Sequence, residues 1–448
     1  MFILFGEILN GAVLPLSLTV CGIILAFRIK LFRILSPVGF FRDLKSAGTG
    51  SGTSPFVSLC TALAGTLGVG NIAGVATAIG SGGAGAVFWM WAGALISTAV
   101  KYGEVTLAVK YRRRTKDGYY GGAAYTIRDG LSFMIGPCAS KLLGGSFAVL
   151  CVVNSLVMGT LIQSNSAAAV TDDGRVRAII CLLLAVGVAA VAISGPGKIG
   201  KVTSALIPPL SLVYIGISVY VIASNSAVVP TVFREIFSGA FRFRAAAGGA
   251  AGFGIKEAIR FGVTRGIFSN EAGCGTSPTA HAAANVVSPH KQGCFGIFEV
   301  IFDTPVLCTL TALVVLIGRL KYGVTGDGGV GDTLFVFGKL AGNPAYFAIG
   351  ISVFLFAYAT VIAQLYYGSV ALRYLTRSHA AKATLSIITV AVAAVGGYVE
   401  PGVMWSVADT VVGVMTVINV FVLIMLSGTI GKEACQGLEQ RIKKRTHD

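Results

Sequence analysis

Long apolar runs alternate with short polar connections along the chain, and their spacing predicts its architecture. A hydrocarbon core about 30 Å thick takes about 20 apolar helical residues per crossing. Eleven stretches meet that measure, at roughly 8–27, 56–80, 84–110, 145–170, 177–195, 202–224, 250–285, 293–318, 342–372, 381–396 and 403–428. The pattern predicts an all-α integral membrane protein with about 11 transmembrane helices. Lys and Arg concentrate in alternate connections, the first, third, fifth, seventh and ninth, and in the C-terminal tail. Positive charge marks the cytoplasmic side, so the N-terminus is expected outside the cell and the C-terminus in the cytoplasm. An odd number of crossings agrees.

After one leading span, the remaining ten divide into five and five. Five is odd, so the second set enters the membrane from the opposite side and any repeat is inverted. The expected organisation is a leading helix with a basic cytoplasmic loop (1–55), a first five-helix repeat (56–224), a second (225–428) and a basic cytoplasmic tail (429–448). Residue identity between the halves is weak, yet both open on a glycine-interrupted segment, GTLGVGN at 65–71 and SNEAGCG at 269–275. Paired interruptions of this kind point to a binding site near the bilayer midplane.

Composition supports the membrane class. Of 448 residues, 54% are hydrophobic and 12% charged, against about 25% charged in a soluble domain. The net charge of +16 sits mainly in loops, where it orients the chain and calls for no nucleic acid. Nine cysteines include no C-x-x-C pair and lie mostly in apolar segments, which reads as small buried residues; four histidines argue against zinc. The N-terminus lacks a basic n-region and a small-residue cleavage site, so 8–27 is expected to be retained as the first span, with nothing removed in maturation. The expected location is the plasma membrane, multi-pass, with the lipid bilayer as surroundings and no obligatory protein partner evident.

Residues 65–74, GTLGVGNIAG, place four glycines in ten positions of an apolar segment. Residues 68–73 match G-x-G-x-x-G/A, but a dinucleotide fingerprint closes a strand and opens a helix in a soluble βαβ unit, and this one lies mid-span. Each glycine costs a helix interior about 1 kcal/mol relative to alanine, which favours an unwound stretch. Unpaired backbone groups at membrane depth are tolerated where they line a cavity or bind something. Freed carbonyls suit a cation, and N–H groups at a half-helix N-terminus suit an anion. A zwitterionic amino acid beside a cation fits such a break; the alternative is helix packing through the Gly70/Gly74 spacing.

The second interruption, RGIFSNEAGCGTSPTAHAAA at 265–284, puts Ser269, Asn270, Glu271, Thr276, Ser277 and His281 in a span. Ionisable groups there point by default to function. Asn270 is expected to bind, and Glu271 to brace the fold by pairing with a basic residue such as Arg265. In segment nine, Thr360 and Gln364 are four apart and share a helical face. Thr360 either bonds its own i−4 carbonyl or gives an oxygen to a hard cation. Gln163 and Asn165 add amide groups in segment four. Glu299 and Asp303, also four apart, are expected to form an interior network with at least one of them paired or protonated.

Five motifs in order, GTLGVGNIAGVATAI at 65–79, GAVFWMW at 85–91, KYGEVTLAVKYR at 101–112, RGIFSNEAGCGTSPTAHAAA at 265–284 and QGCFGIFEVIFDT at 292–304, resemble the sodium:alanine (alanine or glycine:cation) symporter family, within the superfamily sharing the leucine-transporter fold. The resemblance covers almost the whole chain. It implies a 5+5 inverted repeat with one leading helix, broken first and sixth core helices, and inward sodium flow coupled to uptake of a small neutral amino acid. Carried over by position, it implies a substrate site at Thr66, Val69, Gly70, Asn71, Gln163, Phe268, Asn270 and Gln364, with the carboxylate on the N–H groups near Val69 and Gly70. It implies a sodium (Na+) site at Ala64, Leu67, Phe356 and Thr360.

The chain departs from the family pattern at segment nine, where two adjacent hydroxyl residues are usual and this chain has Ala359 and Thr360. Gly-Trp or Gly-Asn is replaced by Ala363-Gln364, which bears on pocket size and polarity. SGGAGA and GGAAYTI stand where GGPGA and GGPMYYI-like motifs are common, changes without a functional reading. The expectation is a secondary active transporter, not an enzyme, working by alternating access as a sodium-coupled symporter of a small neutral amino acid of the alanine or glycine class. A different substrate such as glutamine, or proton coupling, stays open. An intramembrane hydrolase using Ser277 and His281 lacks a G-x-S-x-G elbow, and a passive channel would pass substrate without saturation.

Overall fold

The structure, a computed structural model, describes residues 9–45, 48, 53–115, 118–194, 196–242, 254–323 and 329–445. Helix α1 (Leu14–Ile29) leads, followed by the amphipathic α2 (Pro37–Lys45). The first interrupted segment forms α3 (Pro55–Thr66) and α4 (Ala73–Gly82), with the chain bent by 60° between them. Next come α5 (Gly85–Lys110), α6 (Pro137–Ala168), α7 (Gly174–Ser194) and α8 (Pro196–Ser224). After α9 (Val229–Ala240), the second interruption separates α10 (Ile255–Asn270) from α11 (Pro278–Ala282). The chain closes with α12 (Pro289–Tyr322), α13 (Val330–Ala341), α14 (Asn343–Leu375), α15 (His379–Val395), α16 (Pro401–Met425) and α17 (Ser427–Arg445).

Helix starts follow local chemistry. Ser54, Ser288 and Ser378 accept the backbone N–H groups of Val57, Lys291 and Ala381, and proline occupies the first turn of α3 and α12. A side-chain oxygen satisfies an orphan donor there, and proline loses nothing at a position whose N–H is unpaired anyway. Two long helices carry a π turn, α6 at Val157–Leu161 and α12 at Phe302–Cys308, the latter around Pro305, which has no N–H to donate.

Over the described residues, each of the eleven expected segments coincides with a helix or a helix pair; residues 8, 195 and 250–253 of the first, fifth and seventh segments lie outside them. Among the described residues, seven helices are long and apolar enough to cross a membrane, eight if α3 and α4 count as one span. The all-α expectation misses a small antiparallel hairpin, β1 (Arg113–Thr115) with β2 (Gly118–Tyr120), Arg113 opposite Tyr120. It forms in a polar connection, where the Arg112 and Arg373 guanidinium groups lie over the Tyr119 and Tyr120 rings at 3.8 and 4.1 Å.

Helix α5 lies at the centre, buried from Ser97 to Val109. Helices α10 and α12 approach it through glycines: a Cβ on Gly262 would collide with the Ala86 carbonyl, and one on Gly293 would sit 2.7 Å from the Tyr102 ring. Small residues at such crossings let helices pack where water supplies no driving force. The outer faces of α7, α8 and α15 expose Leu182, Leu183, Leu212 and Ile387, a surface suited to lipid.

At one end of the bundle, Asp43 of α2 is buried between Arg441 of α17 (Nη2 to Oδ2, 2.6 Å) and His290 of α12 (Nε2 to Oδ2, 3.0 Å). The Tyr102 hydroxyl bonds His290 Nδ1 at 2.7 Å. Burial pushes the Asp43 carboxyl up, but the His290 and Arg441 hydrogen bonds and the guanidinium charge outweigh it and hold it below the ordinary carboxylate range. Asp43, His290 and Cys294 offer possible ligand atoms within 4.8 Å of one another, but Arg441 already takes the Asp43 oxygen. All nine cysteines are free, and seven are buried.

Candidate functional site

The first break begins at Leu67, which leaves the helix with φ −78° and ψ 66°, and passes through an extended Gly68 into a single 3-10 turn at Val69–Asn71. Neighbouring helices take up its polar groups. The Val69 N–H donates to Gln163 Oε1 of α6 at 3.2 Å, and the Tyr367 hydroxyl of α14 donates to the Thr61 carbonyl at 3.2 Å. The Thr360 hydroxyl lies 2.8 Å from the Ala64 carbonyl and 3.0 Å from the Phe356 carbonyl. Thr360 thus bonds its own i−4 carbonyl, the first of its two expected roles, and also reaches across to α3. Three oxygens converge there, the donor chemistry a hard cation takes. Ala359 is buried and supplies none.

Space explains the glycines. A Cβ on Gly65 would meet the Tyr367 hydroxyl at 2.6 Å, and one on Gly68 would sit 2.8 Å from both Gln163 Oε1 and Thr360 Oγ1. A Cβ on Gly70 would make ordinary contact with Ser269 Cα at 3.4 Å and Phe268 at 3.6 Å, and one on Gly74 would meet nothing within 4 Å. The Gly70/Gly74 packing alternative finds no support at Gly74, where an added Cβ would meet no neighbour within 4 Å. A cavity beside the break is lined by Leu67, Gly68, Asn71, Ile72, Tyr214 and Phe356, with Leu307.

The second break runs from Glu271 to Ser277. Glu271, Gly273 and Gly275 have φ of 50°, 88° and 75°, left-handed conformations that end α10 and that glycine adopts without strain. Asn270 caps the break: its Oδ1 accepts the Ala272 N–H at 3.0 Å and its Nδ2 donates to the Thr304 hydroxyl at 3.2 Å. Glu104 of α5 accepts the Gly275 N–H at 2.9 Å, and Asn419 of α16 donates to the Gly273 carbonyl at 2.9 Å and to Glu104 at 2.6 Å. Lys101 Nζ donates to Ser277 Oγ at 2.6 Å and lies 3.3 Å from Glu299. His281 Nε2 is 2.9 Å from Glu299, and Gln292 is 2.8 Å from His281 Nδ1.

One expectation needs correction, and one alternative already set aside loses its geometry as well. Glu271 does not pair with Arg265; its oxygens take the Thr276 hydroxyl and, at 2.7 Å, Gln364 Nε2. Arg265 instead lies 3.4 Å from Asp409 and over the Trp405 ring. Glu271 lies just beyond the end of α10, where the chain turns left-handed, so its side chain leaves the helical face that carries Arg265. Nor do Ser277 and His281 form a nucleophile and base, since Lys101 takes the serine and Glu299 and Gln292 take the imidazole.

The remaining expected residues gather around the breaks. Thr66 bonds back within α3, and Phe268 packs on Trp405 with ring centroids 4.9 Å apart. Asn71 Nδ2 donates to Asp303 Oδ1 at 2.7 Å, and Asp303 also accepts from Ser269 at 2.9 Å and Thr304 at 2.7 Å. Asn165, by contrast, caps the end of α15, donating to Gly396 and Val399 carbonyls. Glu299 and Asp303 do form interior networks, but separate ones, Glu299 with Lys101 and His281 and Asp303 with neutral donors. Sequence reasoning missed Lys101 and Glu104 as the groups that hold the second break. The signal was two charges three residues apart inside a 26-residue, largely apolar helix whose other charge, Lys110, is its last residue.

The sodium:alanine symporter family matches residues 1–448. Sodium/alanine symporter AgcS of Methanococcus maripaludis is 38% identical over 387 residues, covering 85% of this chain and 83% of that protein. Probable sodium/glutamine symporter GlnT of Bacillus subtilis is 32% identical over 430 residues, covering 95% and 87%. In fold, the chain is similar to the crystal structure of MhsT in complex with L-phenylalanine, with a TM-score of 0.52 over 87% of this chain and 100% of that one, at 11% identity. The relatives are transporters, and a multi-pass membrane carrier, not an enzyme, is what the matches describe.

Proposed function

The chain belongs to the sodium:alanine symporter family, and from that premise we propose that it moves a small neutral amino acid of the alanine or glycine class into the cell together with sodium, by alternating access. Sodium-coupled amino acid symport is the family's activity; the proposal concerns the groups that perform it here. The cation is held by Thr360, Ala64 and Phe356 with Leu67 at the end of α3, and the substrate carboxylate by the N–H groups near Val69 and Gly70. Thr66, Asn71, Gln163, Phe268, Asn270 and Gln364 surround the rest. The 5+5 inverted repeat spans 56–224 and 225–428, with the N-terminus outside and the basic tail in the cytoplasm.

One observation carries the reading: the Thr360 hydroxyl lies 2.8 Å from the Ala64 carbonyl, so α14 supplies an oxygen to the first break. A cation bound across that seam couples the broken helix to its surroundings, and it shifts the conformational equilibrium by as much as its affinity differs between the two states. Uptake of labelled alanine, glycine and glutamine into proteoliposomes, with and without an inward sodium gradient, tests this. Equal uptake in both conditions defeats sodium coupling. A second reading, proton coupling, is favoured by Asp303, a buried carboxylate whose three side-chain donors are neutral. Under it, a pH gradient alone drives uptake.

A further inference from the structure

Glu271 is a buried carboxyl group without a directly bonded cation. It is 1% exposed, and both of its hydrogen-bond donors, the Thr276 hydroxyl and Gln364 Nε2, are neutral. Lys101 bonds Ser277 and Glu299 and acts on Glu271 only through space, and Arg265 pairs with Asp409. Gln364 carries a second mark. Its NH2 must turn toward the carboxylate, because the reverse orientation sets oxygen against oxygen. Its carbonyl oxygen Oε1 is then left buried with no hydrogen-bond partner. A buried acceptor without a donor is costly, and here one lies in the residue that touches a carboxyl group with no directly bonded cation. The pair adjoins the first break: Gln364 is one helical turn beyond Thr360, which bonds Ala64, and Tyr367 on the next turn bonds Thr61.

We propose that Glu271 and Gln364 form the ammonium end of the substrate site, the –NH3+ of an α-amino acid donating to a Glu271 oxygen and to Gln364 Oε1. This rests on the symporter reading and deepens it by assigning the zwitterion's positive end. An ammonium brings three donors and a charge, so it satisfies both acceptors at once. A hydroxyl in the same place brings one donor and no charge. The substrate class is therefore α-amino acids with a free amino group, to the exclusion of 2-hydroxy acids of the same shape.

Labelled alanine and glutamine uptake under an inward sodium gradient, competed by unlabelled alanine and by lactate, provides the test. Wild-type uptake is competed by alanine and not by lactate. Glu271→Gln keeps the shape and removes the charge, and the half-saturating amino acid concentration should rise about thirtyfold or more. Gln364→Leu leaves Glu271 intact, guards against a folding defect in the first variant, and should raise it about tenfold. Sodium binding without amino acid, read as the sodium-dependent rise in melting temperature, should match wild type in both. Unchanged half-saturation in both variants overturns the proposal and leaves the symporter standing. So does loss of the sodium effect in Glu271→Gln with amino acid affinity kept, which would give the carboxylate to the ion. Absence of sodium-driven uptake in wild type removes the underlying reading and the proposal with it.

Discussion

Replacing Gly68 by alanine would put a Cβ 2.8 Å from both Gln163 Oε1 and Thr360 Oγ1. The backbone would tolerate it, since φ −108° and ψ −153° are extended values open to alanine. The cost falls on two side chains, each of which must retreat by several tenths of an ångström and each of which already bonds the break, Gln163 to the Val69 N–H and Thr360 to the Ala64 carbonyl. Losing one such bond leaves a buried polar group unpaired at about 1–3 kcal/mol, equivalent to about 5- to 150-fold in an equilibrium constant. The sodium concentration for half-maximal uptake in proteoliposomes should rise by a factor in that range. Gly74→Ala is the internal control: nothing lies within 4 Å of its added Cβ, and its sodium dependence should match wild type. Gly70→Leu must enter between Ser269 and Phe268 and should abolish uptake. If Gly68→Ala keeps wild-type sodium dependence while migrating and melting like wild type, close approach at Gly68 is not what holds the site.

Thr360→Ala should raise half-maximal sodium, with Thr360→Ser restoring it; identical titrations would remove Thr360 from the cation site. Gln364→Trp should change which unlabelled amino acids compete with labelled alanine, and an unchanged competition profile would place residue 364 outside the pocket. Lys101→Met strands Glu299 without its lysine in a fully buried setting, a loss of about 3–5 kcal/mol. The melting temperature in detergent should fall, and adding Glu299→Gln should recover part of it. Asp43 is held below the ordinary carboxylate range, so its contribution to stability is present above about pH 4 and is lost as pH falls through its lowered value. Wild type should accordingly lose more melting temperature on acidification than Asp43→Asn.

The two breaks were legible because glycine states its purpose locally. The cluster at 65–74 forecast an interruption now found at 67–72, and SNEAGCG forecast one whose glycines carry left-handed torsions at 273 and 275. The i−4 bond of Thr360 to the Phe356 carbonyl was legible too, since one turn of helix fixes that pairing. What stayed hidden were side-chain partnerships between segments distant in the chain. Glu271 was matched to a residue six positions away when its partner lay 93 away, at Gln364. Lys101 and Glu104 were noticed only as letters of the KYGEVTLAVKYR motif and given no partner, because periodicity describes how a helix presents itself and not which loop will cross it. The hairpin at 113–120 lay between apolar runs, where hydropathy carries little signal.

The surplus residue in each π turn has a consequence for register. An α-helix advances about 100° per residue, whereas an i→i+5 turn absorbs one extra residue and leaves the turns on either side facing as they did. Deleting a single position inside Val157–Leu161 or Phe302–Cys308 should therefore be taken up by reversion to i→i+4 pairing, with Gln163 kept beside the Val69 amide. The same deletion in the regular stretches of either helix has no such reserve and would swing everything beyond it by more than a quarter turn.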